Sequence, residues 1–110
     1  MTRCRADTPK LTAEQIDERL ESLNGWSRGE SWIEKTFTFK NFLRAMSFVN
    51  AAAFVAESMN HHPDISIHYH TVRLRNWTHA AGGVTEFDVR LAEGIEALDA
   101  ANSGMTPHEH

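Results

Sequence analysis

With a single cysteine, Cys4, among 110 residues, the chain cannot form an intramolecular disulfide. That excludes a secreted scaffold stapled by cystines. No apolar run approaches the roughly 20 residues needed to span a bilayer. The N-terminus, Met1-Thr2-Arg3-Cys4-Arg5-Ala6-Asp7, lacks the apolar centre of a signal peptide. A strong charge of one sign is missing too. The 11 Lys and Arg against 15 Asp and Glu leave -4, which gives no electrostatic reason to expect nucleic acid or an anionic membrane as partner. No Gly-x-Gly-x-x-Gly or Gly-x-x-x-x-Gly-Lys pattern occurs, so Gly82-Gly83 is not a phosphate loop. What remains is 41% hydrophobic and 24% charged residues, the make-up of one soluble globular domain. The expectation is a cytoplasmic protein with a single folded unit over residues 11–100 and flexible termini at 1–10 and 101–110.

Periodicity divides that unit. Thr12 and Gln15 form a capping box, in which hydroxyl and amide each satisfy an orphan backbone N–H, and Leu11 and Ile16 can staple it. Ile16, Leu20 and Leu23 give the first helix one apolar face, and Asn24-Gly25 ends it. From Trp26 to Phe39 the period is two, with Ile33, Phe37 and Phe39 on one parity and Glu34, Thr36 and Thr38 on the other. Arg28-Gly29-Glu30 is a hairpin turn behind a short strand. Asn41 caps a second helix to about Asn60, whose stripe is Phe42, Met46, Val49, Ala53 and Ala56, and Pro63 stops it. Ile65, Ile67 and Tyr69 alternate, as do Val72, Leu74 and Asn76 on the opposite parity. The switch near His70-Thr71 means two strands or one strand strongly bent at a bulge. Thr85-Glu86-Phe87-Asp88 opens a third helix with buried stripe Phe87, Leu91, Ile95 and Leu98. Paired strands between helices, in the order α-β-β-α-β-β-α, predict an α+β fold: a four-stranded antiparallel sheet with three helices on one face. The other face is left polar or open to a partner subunit, and Ile67 and Tyr69 suggest a subunit contact there.

Five of the seven histidines, His61, His62, His68, His70 and His79, fall in one stretch of 19 positions. Histidine titrates near neutrality, so such a cluster can hold a proton donor and a proton acceptor together. His61-His62-Pro63 stands where the second helix must unwind, and Glu57, one turn earlier, is placed to orient His61. Thr78-His79 follows the last strand beside Gly82-Gly83, a position suited to lining a pocket. Asp88 reads first as the acid of the capping box, with contact to a histidine as the lesser role. His68 and His70, two apart on a strand, have metal-ligand spacing, yet a solvent-facing polar strand is the simpler reading. The tail His108-Glu109-His110 is a weak metal pattern, and Cys4 is a poor nucleophile candidate.

Glu57-x-x-x-His61-His62-Pro63, then Tyr69, Thr78-His79, Gly82-Gly83, Thr85 and Asp88, together resemble the pterin-4a-carbinolamine dehydratase family. Trp26 and the join Phe37-Thr38-Phe39-Lys40-Asn41-Phe42 fit the same pattern over about residues 11–99. The resemblance implies loss of water from a 4a-hydroxytetrahydropterin to give the quinonoid dihydropterin, which regenerates the cofactor of aromatic amino acid hydroxylases. It implies a homodimer or homotetramer, no metal and no cofactor, the pterin being the substrate. By position it makes His61, His62 and His79 catalytic. His61 and His79 would transfer protons, while His62 positions the hydroxyl or shares the acid role. Glu57 and Asp88 become supporting acids, and Asn60, Pro63, Trp77 and Thr78 lie at the pterin. The sequence departs from the family where Asn60 replaces a frequent acid, Ile65 a frequent aromatic and His70 a small polar residue, and where Trp77 and Phe87 stand at positions often polar or basic. The alternative on the same fold is a non-catalytic binding, dimerisation or assembly module, since fold does not fix function; a histidine metal protein is the third reading.

Overall fold

The computed structural model describes residues 8–105, with side chains described through residue 98. Cys4 and the His108-Glu109-His110 tail lie outside the described residues. The elements are α1 (Ala13–Leu20), β1 (Ser27–Arg28), β2 (Ile33–Thr38), α2 (Phe42–Met59), β3 (Asp64–His68), β4 (Thr71–Asn76), a 3₁₀ turn at His79–Ala81, and α3 (Glu86–Met105). The strands form one antiparallel sheet in the order β1-β2-β4-β3, with α2 and α3 packed on β4 and on each other. This is the α+β architecture read from the sequence. α3 runs through Met105, past the boundary set at residue 100.

The capping signals act as written. Thr12 Oγ1 accepts from the Gln15 N–H at 3.1 Å, and Gln15 Oε1 accepts from the Thr12 N–H at 2.8 Å. α1 is nevertheless shorter than its apolar spacing suggests, with Glu21 at its C-cap and Leu23 buried from the turn that follows. Arg19 of α1 forks onto Glu86 in the first turn of α3. That hydrogen-bonded guanidinium holds the Glu86 carboxyl below the usual glutamate range. On β2, Lys35 shares the core parity of Ile33 and Phe37, and its ammonium is taken up by Glu96 at 2.7 Å and the Asn24 carbonyl at 2.9 Å.

Two helix stripes are rotated from their expected phase. α2 buries Ala45, Phe48, Ala52 and Ala56, while Phe42 and Ala53 are exposed and Met46 and Val49 half-buried. α2 is apolar nearly all round, so several phases fit its sequence equally. Packing selects the alanine-rich one, because small side chains let the helix approach the sheet. α3 buries Asp88, Val89, Leu91, Ala92 and Ile95, and leaves Phe87 and Leu98 at the margin of the core.

The register fixes the faces. Directly paired residues share a face. Val72 and Leu74 therefore carry Ile67 and Ile65 onto the helix side, and Ile67 is not on the open face where a subunit contact was expected. Both isoleucines are partly exposed because β3 is an edge strand beyond the helices. The open face carries Glu34–Arg75–Asp64, Thr36–Arg73–Ser66 and Thr38–Thr71–His68 across three strands. The switch of parity is a tight hairpin with Tyr69 at φ 57. His70 belongs to that turn, not to β3, so His68 and His70 do not form the strand pair that their spacing suggests. Among the described residues no group of three or more His, Cys, Asp or Glu is arranged to hold a metal ion.

Candidate active site

The end of α2 decides where two histidines go. Asn60 takes the left-handed conformation, φ 53 and ψ 42. Its N–H donates to the Glu57 carbonyl and that of His61 to the Ala56 carbonyl, each at 3.1 Å. This is the Schellman closure, one of the few places where an asparagine readily takes positive φ. Past it the chain is no longer helical, so spacing along the helix ceases to predict neighbours. His61 turns inward and is buried, with Nε2 2.5 Å from Asp88 Oδ1. His62 turns back over the helix, with Nε2 3.0 Å from Glu57 Oε2, and stays half-exposed. Glu57 thus serves His62, not His61 as the four-residue spacing suggested.

Asp88 does two things at once. Oδ2 accepts from the Thr85 N–H and from Thr78 Oγ1, each at 2.8 Å, which completes the start of α3. Oδ1 faces His61. Cap and histidine contact are simultaneous, not alternatives, because a carboxylate has lone pairs for both. With Thr78 donating to Asp88, the Thr85 hydroxyl donates to Thr78 at 2.8 Å. Asp88, Thr78 and Thr85 are almost completely buried. Asn76 Nδ2, donating to the Asp88 carbonyl at 3.2 Å, ties α3 to β4 beneath them.

The third histidine rides on a closed loop. The Thr78 N–H donates to the Gly83 carbonyl at 2.8 Å, and the Thr78 carbonyl accepts from the N–H groups of Ala81 at 3.1 Å and Gly82 at 2.9 Å. Gly82, at φ 71, makes the reversal that a side chain would oppose. His79 stands on this loop, exposed, with its ring stacked on Trp77 at 4.6 Å between centroids and 27° between planes.

Asn60, His61, His62, Trp77, Thr78, His79 and Ala80 line one hollow of about 260 Å³. Ala80 was not anticipated; nothing in its type marks it. Phe87, read as core, lies beside His61 with ring centroids 5.9 Å apart. Pro63, Glu57 and Asp88 do not line the hollow. Pro63 follows the helix end, and the two acids stand behind the histidines. A second hollow, of about 170 Å³, lies between Lys10, Arg28, Trp32 and Gly82-Gly83 and contains no histidine.

A family model described as pterin 4 alpha carbinolamine dehydratase matches residues 9–98. A relative from Acidobacterium capsulatum is 51% identical over 89 residues, covering 81% of this chain and 97% of its own. One from Sulfurisphaera tokodaii is 47% identical over 89 residues, covering 81% and 96%. The names of both assign them provisionally as pterin-4-alpha-carbinolamine dehydratases. Among solved structures, a transcriptional coactivator/pterin dehydratase from Brucella melitensis matches with a TM-score of 0.78 at 36% identity, covering 82% of this chain and 98% of that one.

Proposed function

Because the chain belongs to the pterin 4 alpha carbinolamine dehydratase family, we propose that it removes water from a 4a-hydroxytetrahydropterin through acid–base catalysis by His61, His62 and His79. The observation that carries this reading is the convergence of three imidazoles, from the end of α2 and from the loop after β4, on one hollow. In the reaction the C4a–O bond breaks with its electrons leaving on oxygen, which takes a proton and departs as water. N5 gives up its proton as the C4a–N5 double bond forms. One donor and one acceptor suffice, and no net proton is consumed. A positioned group of this kind is worth about 10²–10⁴-fold.

The supporting acids have defined work in this scheme. Asp88, an acceptor at both oxygens, fixes the His61 tautomer with its proton on Nε2 and holds the ring in place. Glu57 does the same for His62 at the rim. Asn60, Trp77 and Thr78 line the space the pterin would fill, and Pro63 follows His62 outside that lining. The pterin is substrate, and the scheme uses no metal or cofactor. The quinonoid product would feed a reductase step that restores the tetrahydropterin of aromatic amino acid hydroxylases. A cytoplasmic setting belongs to the same proposal; among the described residues no helix is long and apolar enough to cross a membrane.

One observation speaks to the alternative of a binding or assembly module. Leu43 and Phe54, 73% and 77% exposed, stand about three turns apart on one face of α2. Such a stripe suits packing against another helix, and we assign it to a homodimer or homotetramer of the enzyme. The test of function is stopped-flow dehydration of freshly generated 4a-hydroxytetrahydrobiopterin. The purified chain is expected to accelerate it well above the buffer rate; no acceleration would leave the module as the reading.

A further inference from the structure

The three histidines are held by different means. His61 has Asp88 and His62 has Glu57. His79 has no hydrogen-bonding partner among the described residues; its ring contact is the face of Trp77. Trp77 is not loose. It continues the open-face parity of Arg73 and Arg75 and meets Trp32, from the turn before β2, at 6.2 Å between centroids. Trp32 is fixed on several sides. Its Nε1–H donates to Glu34 Oε1 at 2.8 Å, and the same oxygen accepts from Arg75 Nε at 2.7 Å. The Arg75 guanidinium lies over the Trp32 ring, 4.3 Å from its centroid. Gly29 lies against the indole so closely that a Cβ there would meet Trp32 Nε1 at 2.3 Å. A run of ring contacts therefore leads from a charge-clamped residue on the open sheet face, through indoles tilted by 52°, to an imidazole stacked on Trp77 in the hollow.

We infer that Trp77 is the positioning residue for His79, doing with an aromatic face what Asp88 and Glu57 do with carboxylates, and that Trp32, Glu34 and Arg75 form its buttress. The inference rests on the assignment of His79 to proton transfer. A stacked ring keeps both nitrogens available to the substrate, whereas a carboxylate would occupy one. Stacking also limits the ring's rotation, so less disorder is lost when the substrate arrives. It makes Trp77 a support for the histidine, with substrate contact secondary.

The test compares Trp77→Ala and Trp77→Phe in the full chain, each alone and combined with His79→Ala. W77A is expected to lower kcat for dehydration roughly tenfold, a larger factor than the rise in KM from the lost lining contact. W77F, which retains a face to stack on, recovers most of that loss. The W77A/H79A chain is no slower than H79A, because a support with nothing to support has no further effect. Independently of turnover, the His79 Hε1 NMR signal, shifted by the indole ring current, moves to the position of an unstacked histidine in W77A. Unchanged kcat in W77A, a further loss on adding W77A to H79A, or an unmoved His79 signal would each overturn the inference. Undiminished turnover in H79A alone would instead count against the catalytic role of His79, and the NMR signal would still decide whether Trp77 orients its ring.

Discussion

A chain with His79 replaced by alanine is expected to dehydrate the carbinolamine roughly 10²-fold more slowly than wild type, with its thermal midpoint almost unchanged. The two halves of that expectation have separate causes. His79 stands exposed on a loop whose closure uses backbone groups of Thr78, Ala81, Gly82 and Gly83, not the imidazole. Surface substitutions of this kind usually alter stability by about 0.5 kcal/mol or less. Under the proposed mechanism the rate falls because the hollow loses one of its proton carriers. Stopped-flow turnover and thermal unfolding on the same preparation separate the effects. A variant as fast as wild type would remove His79 from the chemistry.

Asp88 should behave in the opposite way, with stability and activity falling together. Asp88→Ala strips the acceptor from three buried donors: His61 Nε2, Thr78 Oγ1 and the Thr85 N–H. At about 1 kcal/mol or more for each stranded donor, the loss in urea unfolding should be about 3 kcal/mol or greater. Asp88→Asn is the discriminating partner. Its carbonyl oxygen can still accept from Thr78 and Thr85, so much of the stability returns. Its amide, however, is a donor facing His61, and forces the proton off Nε2. Dehydration by Asp88→Asn should therefore remain about 10²-fold down although the fold is sound. Full activity in a folded Asp88→Asn chain would show that the His61 tautomer does not matter.

The behaviour of Asp88 also shows what a sequence can and cannot disclose. Local signals were legible: the Thr12–Gln15 box, Asn41 accepting from the Arg44 N–H at 2.9 Å, and the alternation that places Ile33, Phe37, Val72 and Leu74 in the core. Those signals set element order and fold class, because capping and periodicity act within a few residues. The phase of α2 was not legible, since a helix apolar on most sides carries little information about which side faces the sheet. Within the site, residue types were readable but partners were not. Helical spacing pairs Glu57 with His61, but the left-handed Asn60 reorients the residues after it and gives Glu57 to His62. The His61–Asp88 contact spans 27 positions and depends on the packing of α3 against the end of α2. The Trp32–Trp77–His79 ring contacts depend on the register of β2 against β4, which no single segment encodes.

His61, His62 and His79 line a shared hollow, and the proposed dehydration requires one pterin to sit against all three. The most direct test of that requirement is a titration of the protein with 7,8-dihydrobiopterin, followed through the imidazole NMR signals of each histidine. The signals of His61, His62 and His79 are expected to move together along one binding curve while those of His68 and His70 stay in place. Binding that leaves the three unmoved, or that instead perturbs the residues around Lys10, Arg28 and Trp32, would contradict it.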